Sequence, residues 1–174
     1  TQKTTTGAQL LDIKQTIGNE GKIVSTQYEN YIITIRGTYA EGDTNAWRNV
    51  RILLDSALTG KTITASLESA ENDAGEPLRI ICDINYKNQD GSISWNYFGV
   101  DNPKTIAIPA EATSLVCRIH IIENTSDSAE YGTYTTTVKG LMISIGDKVL
   151  PWEPYTGGLP SPSPDYPQEI ESVG

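Results

Sequence analysis

Two cysteines, one histidine, one methionine and one phenylalanine among 174 residues leave little room for several kinds of chemistry. Cys82 and Cys117 are too few for a disulfide-dense secreted scaffold. With His120 the only histidine and no paired-cysteine spacing, the residue types of a structural zinc site are missing. A hydrolytic triad lacks its parts too: His120 alone could act as base, it lies inside the strand-like "CRIHII", and no G-x-S-x-G elbow occurs. Apolar runs stop well short of the ~20 residues that cross a bilayer, which argues against membrane insertion. The opening "TQKTTTGAQLL" has neither the basic nor the apolar region of a signal peptide, and its threonine-rich start without Met fits a piece of a longer protein. Positive charge is also scarce. Thirteen Lys and Arg face 22 Asp and Glu, for a net charge of -9 and a pI near 4.5. Nucleic acid requires a clustered basic face, and these basic residues are scattered, so it is discounted as a partner.

Helical periodicity is the last thing missing: no stretch of ten or more residues keeps a period of 3.6. What is present is a series of short runs rich in β-branched and aromatic residues. They are 22–26, 30–37, 47–54, 61–67, 78–86, 92–98, 104–109, 114–122 and 133–146, separated by turn formers such as "EGDTN", "ENDAGEP", "NQDGS" and "DNP". This spacing predicts an all-β chain, an antiparallel β-sandwich. Leu10 to Ile13 reads as a short edge strand, and "IGNEGKIVS" as a loop entering a hairpin. Gly140, inside the longest run, marks a bulge or a point of close packing.

Successive strand residues point to opposite faces, so parity separates core from surface. One parity is apolar: Tyr31, Ile33, Ile35; Val50, Ile52, Leu54; Ile63, Ala65, Leu67; Ile80, Cys82, Ile84; and Cys117, Ile119, Ile121. Both cysteines fall in this set, where a reduced thiol behaves as a small hydrophobe. The other parity is polar: Thr34 and Arg36; Trp47, Asn49 and Arg51; Arg79, Asp83 and Asn85; Arg118 and His120. A sheet with one wet face shows such residues without any function. Aromatics in their company change the reading. Trp47, and Trp95 with Tyr97 on a shared face, are large flat surfaces that a solvated face does not need. The candidate ligand-binding set is therefore Trp47, Arg51, Asp83, Asn85, Trp95, Tyr97, Arg118 and His120.

Catalysis by two carboxylates is open to any acidic chain, but most acids here sit in turn clusters: Glu41 and Asp43, then Glu68, Glu71, Asp73 and Glu76. Asp83 alone is placed on a face, where a surface salt bridge is the plainer role. No EF-hand spacing occurs, and no cofactor or metal is expected.

The chain closes with "GLMISIGDKVLPWEPYTGGLPSPSPDYPQEIESVG". The words "WEPY" (152–155) and "PSPSPDYPQEI" (160–170) resemble a junction in minor structural, tail-fibre and baseplate proteins of bacteriophages and prophages of Gram-positive bacteria. There a jelly-roll module, similar to carbohydrate-binding modules, ends in W/Y-E-P-Y and a proline-rich connector leads to the next module. "GAQLLDI" is similar to the G-x-N-L-x opening of such modules, with Gln9 where Asn is commoner, and "KTIAIP" to their I-x-I-P strand. The resemblance implies a jelly-roll module over 1–156 and an inter-module linker over 157–174. It implies a non-enzymatic part of a virion tail acting outside the bacterial cell. The partners it implies are a cell-surface glycan together with other tail subunits or adjacent modules. It transfers no ligand residue, because sugar contacts in that family are not fixed in sequence. A purely structural spacer and a polysaccharide depolymerase are the competing roles. Trp152 and Tyr155 are expected to fold back as an aromatic plug, while alternating prolines stiffen the connector. Deleting 159–174 would then leave stability unchanged, and deleting from 151 would cost on the order of 2 to 5 kcal/mol.

Overall fold

The computed structural model describes residues 2–20, 22–29, 31–43, 48–73, 82–122, 130–159 and 168–173. Its strands are β1 (Gln2–Gly7), β2 (Thr16–Glu20), β3 (Lys22–Glu29), β4 (Ile32–Tyr39), β5 (Arg48–Leu53), β6 (Thr62–Ser66) and β7 (Ser69–Asn72). They continue as β8 (Cys82–Lys87), β9 (Ile93–Phe98), β10 (Lys104–Ala107), β11 (Thr113–Ile122), β12 (Gly132–Lys139), β13 (Met142–Ile145) and β14 (Gln168–Val173).

All ladders are antiparallel. The front layer is one five-stranded sheet in the order β2-β5-β11-β8-β9. The back layer consists of β3-β4-β12-β7 and β10-β6-β13. These two are parts of one surface, because β7 follows β6 after Leu67 and Glu68, and β13 follows β12 after Gly140 and Leu141. The chain passes between layers at β2 to β3, β4 to β5, β5 to β6, β7 to β8, β9 to β10, β10 to β11 and β11 to β12. That alternation makes the protein a β-sandwich of jelly-roll type. β1 and β14 form a separate two-stranded ribbon.

The core lies between the layers, where Val50, Ile52, Leu54, Cys82, Ile84, Phe98, Cys117 and Ile119 meet Ile33, Ile35, Ile63, Ala65, Leu67, Val138 and Ile143. Twelve of the fifteen positions that parity assigned to the core are buried. Tyr31 is an exception: it is 37% exposed and its hydroxyl donates to Glu68. Ile80, and the side chain of Ile121, lie outside the described residues. Sequence runs missed Phe98, Leu141 and Ile143 as core, although Ile143 shares the parity of Leu141 in a run already read as strand.

Three local expectations are corrected. Leu10 to Ile13 is not an edge strand: only Leu10 N bonds to Ile143 O, at 2.8 Å, and Ile13–Gln15 is a 3-10 turn capped by Asp12. The stretch expected to be a loop contains β2, which pairs with β5 and closes the front layer. Thr34 and Arg36 share the polar parity but belong to β4, in the back layer, so they are remote from the other polar-face residues.

Gly140 stands where the chain leaves β12 for β13. Its φ is +68°, and a Cβ there would sit 2.5 Å from Glu68 Cγ and Cδ and 2.8 Å from Glu68 Cβ. Gly140 N also donates to Tyr31 O at 3.0 Å. Gly140→Ala therefore combines a left-handed backbone with overpacking, for an expected loss of about 2 to 4 kcal/mol. A change below about 1 kcal/mol in urea unfolding would mean that Glu68 moves aside freely.

Cys82 and Cys117 are fully buried, free and on neighbouring strands, but they are not opposite one another: Cys117 faces Ile84, and Cys82 faces Ile119. Such a diagonal separates the Cβ atoms by roughly 7 Å, too far for a disulfide. Burial pushes both thiols well above their usual range, so they stay neutral in the native state. Neither should react with a thiol-specific disulfide reagent at mildly alkaline pH until denaturant is added, when both should react. Rapid labelling of the native protein would contradict this burial.

Candidate functional site

The residues singled out from the sequence converge because the front sheet places their strands side by side. Its register aligns Gly18, Arg51, Arg118, Asp83 and Tyr97 in one row across all five strands. The adjacent row holds Leu53, Val116, Asn85 and Trp95. On the other side His120 lies opposite Asn49. All of these share the parity opposite to Ile52, Cys117, Ile84 and Phe98, and so occupy the sheet's outer face.

This face is not uniformly wet. Asp83 and Asn49 have no exposed surface, and Arg118 and His120 are 3% exposed, although all point away from the core. The plainer expectation for Asp83, a surface salt bridge, is therefore corrected: it is the centre of a buried ionic network. Arg118 Nε donates to both carboxylate oxygens, at 2.9 and 3.2 Å. His120 Nε2 lies 2.6 Å from Oδ2, and because an ionised carboxylate can only accept, that nitrogen carries the proton. Asn85 Nδ2 donates to Oδ1 at 2.9 Å. Two charged or polar side chains reach Oδ2 and two reach Oδ1, so the lone pairs of Asp83 are used within the protein. Its role is to position Arg118, His120 and Asn85.

Toward the β9 edge the face becomes aromatic. Trp95 and Tyr97 alternate along the strand and are 43% and 42% exposed, with Ile93 beside them on the same parity at 49%. The Arg118 guanidinium lies 4.4 Å from the Trp95 ring centroid. Since Asp83 fixes the guanidinium, this cation–π contact fixes the indole as well. The result is a half-exposed pair of aromatic side chains bordering polar groups of set orientation.

Of the predicted set, Arg51, Asp83, Asn85, Trp95, Tyr97, Arg118 and His120 share this face. Trp47 lies outside the described residues. Sequence reading missed Asn49 as a buried member, although it shares the parity of Arg51. Among the described residues no group of three or more His, Cys, Asp or Glu is arranged to hold a metal ion.

A second polar cluster joins the two ends of the module. Gln9 is buried, and its Nε2 donates to Leu141 O at 2.9 Å and Glu153 O at 3.2 Å, while its Oε1 accepts from Ile143 N at 3.0 Å and Leu11 N at 3.3 Å. Glu153 is fully buried, and its Oε1 accepts from Ala8 N and Gln9 N. The expected aromatic plug is therefore corrected. Trp152 does pack edge-on against Tyr31, at 5.3 Å between centroids, but Tyr155 is 46% exposed. The buried residue of "WEPY" is its glutamate.

No protein-family model matches the chain, and no curated protein matches it. Among solved structures, the chain is similar to the C-terminal family 22 carbohydrate-binding module of Clostridium thermocellum Xyn10B. The identity is 11% and the TM-score 0.42, over 80% of this chain and 91% of that one. It is also similar to Bacillus subtilis oxalate decarboxylase, at 11% identity and a TM-score of 0.19, covering 78% of this chain and 29% of that enzyme.

Proposed function

We propose that the chain is a non-catalytic module that binds saccharides on the outer face of its front sheet. The observation that carries this reading is the half-exposed pair Trp95 and Tyr97, held beside polar groups oriented by a buried carboxylate. Sugar rings present C–H faces that stack on such aromatics, and their hydroxyls pair with fixed donors and acceptors. Occupation of Asp83 by Arg118, His120 and Asn85 leaves it poorly suited to act as a general acid or base, which favours binding over depolymerisation.

The setting we propose is a phage or prophage tail or baseplate acting on a Gram-positive cell envelope, with residues 157–174 as the connector, whose last stretch, β14, pairs back on β1. Support for it comes from the "WEPY" and "PSPSPDYPQEI" wording. One face with few aromatics gives weak single-site affinity, so many copies would supply the holding strength. A fluorescent, multivalent display of the module should be retained on purified Gram-positive cell walls. Trp95→Ala should weaken retention by about tenfold or more while shifting Tm little, because the indole is partly exposed. Absence of retention on any wall or glycan surface would favour the spacer role, with contacts to neighbouring tail subunits instead.

A further inference from the structure

The charges on the binding face do not cancel. Asp83 neutralises Arg118. Arg51 lies directly opposite Arg118 in the ladder, and none of the ion pairs among the described residues includes it. Its Nε is buried with no hydrogen-bond partner. A partly buried guanidinium whose Nε is buried without a hydrogen-bond partner is unfavourable through desolvation. On its other flank the register places Gly18, and a Cβ built there would meet nothing within 4 Å. Arg51 thus has on one side a neighbouring strand whose arginine is already paired with Asp83, and open space on the other, in a chain whose net charge is -9.

We infer that the saccharide bound by this face carries an oxyanion, a carboxylate or a phosphate diester, which pairs with Arg51 from the Gly18 side while a sugar ring stacks toward Trp95 and Tyr97. This rests on the saccharide-binding reading and narrows it to acidic glycans. A planar guanidinium suits either group, because its N–H fork matches the spacing of two oxygens. Asp83 does not compete for the ligand's cationic partner, since its own oxygens are already bonded to Arg118, His120 and Asn85. The acidic surface elsewhere repels anions, so selectivity for an acidic ligand has to be local, and this row supplies it.

The test is binding of the wild-type chain to an array that pairs neutral saccharides with their uronate-bearing and glycerol-phosphate-bearing counterparts, at low and high ionic strength. Acidic members should bind tighter than neutral ones on the order of tenfold to a hundredfold, the range of a charge-assisted hydrogen bond, and the difference should shrink with salt. Preference for uronates identifies a carboxylate and preference for glycerol phosphate a phosphate; either supports the inference. Arg51→Gln should erase the preference without lowering Tm, because it removes a guanidinium whose buried Nε has no hydrogen-bond partner. Arg51→Lys should keep part of it. Neutral saccharides bound as tightly as acidic ones, with Trp95→Ala still weakening binding, would overturn the acidic ligand and leave the saccharide reading standing. No binding to any member would overturn both.

Discussion

Asp83→Ala is expected to lower the unfolding free energy by about 3 to 5 kcal/mol, the largest effect foreseen for a single residue on the outer face of the front sheet. Asp83 is fully buried and accepts from Arg118, His120 and Asn85. Removing it takes a carboxylate away from a guanidinium with 4% side-chain exposure. The cost comes chiefly from that loss at a buried cation, so it is a penalty for half a pair and not the worth of the pair. Combining Asp83→Leu with Arg118→Met should therefore be much milder than Asp83→Ala alone, since an apolar replacement of similar volume avoids the desolvation of both ions. Urea unfolding of the single and double variants gives the comparison. If Asp83→Ala costs under about 1 kcal/mol, the network is solvated and the site is less rigid than its geometry implies. Saccharide binding should fall in both variants, because Arg118 no longer holds the Trp95 ring.

Gln9→Ala should cost about 2 to 4 kcal/mol, far more than a polar residue in an irregular segment usually contributes. One amide satisfies Leu141 O, Glu153 O, Ile143 N and Leu11 N, and its loss leaves buried backbone groups from three segments without partners. Gln9→Glu separates hydrogen bonding from packing. It keeps the size and the accepting oxygen, removes both donated bonds, and sets a second carboxylate beside Glu153. It should be at least as harmful as Gln9→Ala. Equal stability of Gln9→Glu and wild type would show that the clasp is held by packing alone. The same cluster relocates the effect expected of C-terminal truncation: a deletion starting at 151 removes Glu153, whose carboxylate bonds Ala8 N and Gln9 N, and this outweighs the loss of a half-exposed Tyr155.

The amino-acid order alone determined the class of fold and about half of the core. Alternation in β5, β8 and β11 places every second residue on one side, and turn formers between runs forbid long helices; both are local properties. It also separated Arg51, Asp83, Asn85, Arg118 and His120 from the core, since parity needs no knowledge of partners. It did not reveal that Asp83 is buried, or that Thr34 and Arg36 belong elsewhere. Those depend on which strands are neighbours, and the pairing of β11 with both β5 and β8 joins residues distant in sequence. The same limit hid the clasp: nothing in "GAQLLDI" or "WEPY" taken separately says that Gln9 meets Glu153. Local sequence fixes which way a side chain points from its own strand, whereas the tertiary fold decides what stands opposite it. Charge pairing, desolvation and the open space beside Arg51 are properties of that second relation, so they were settled only when the sheets assembled.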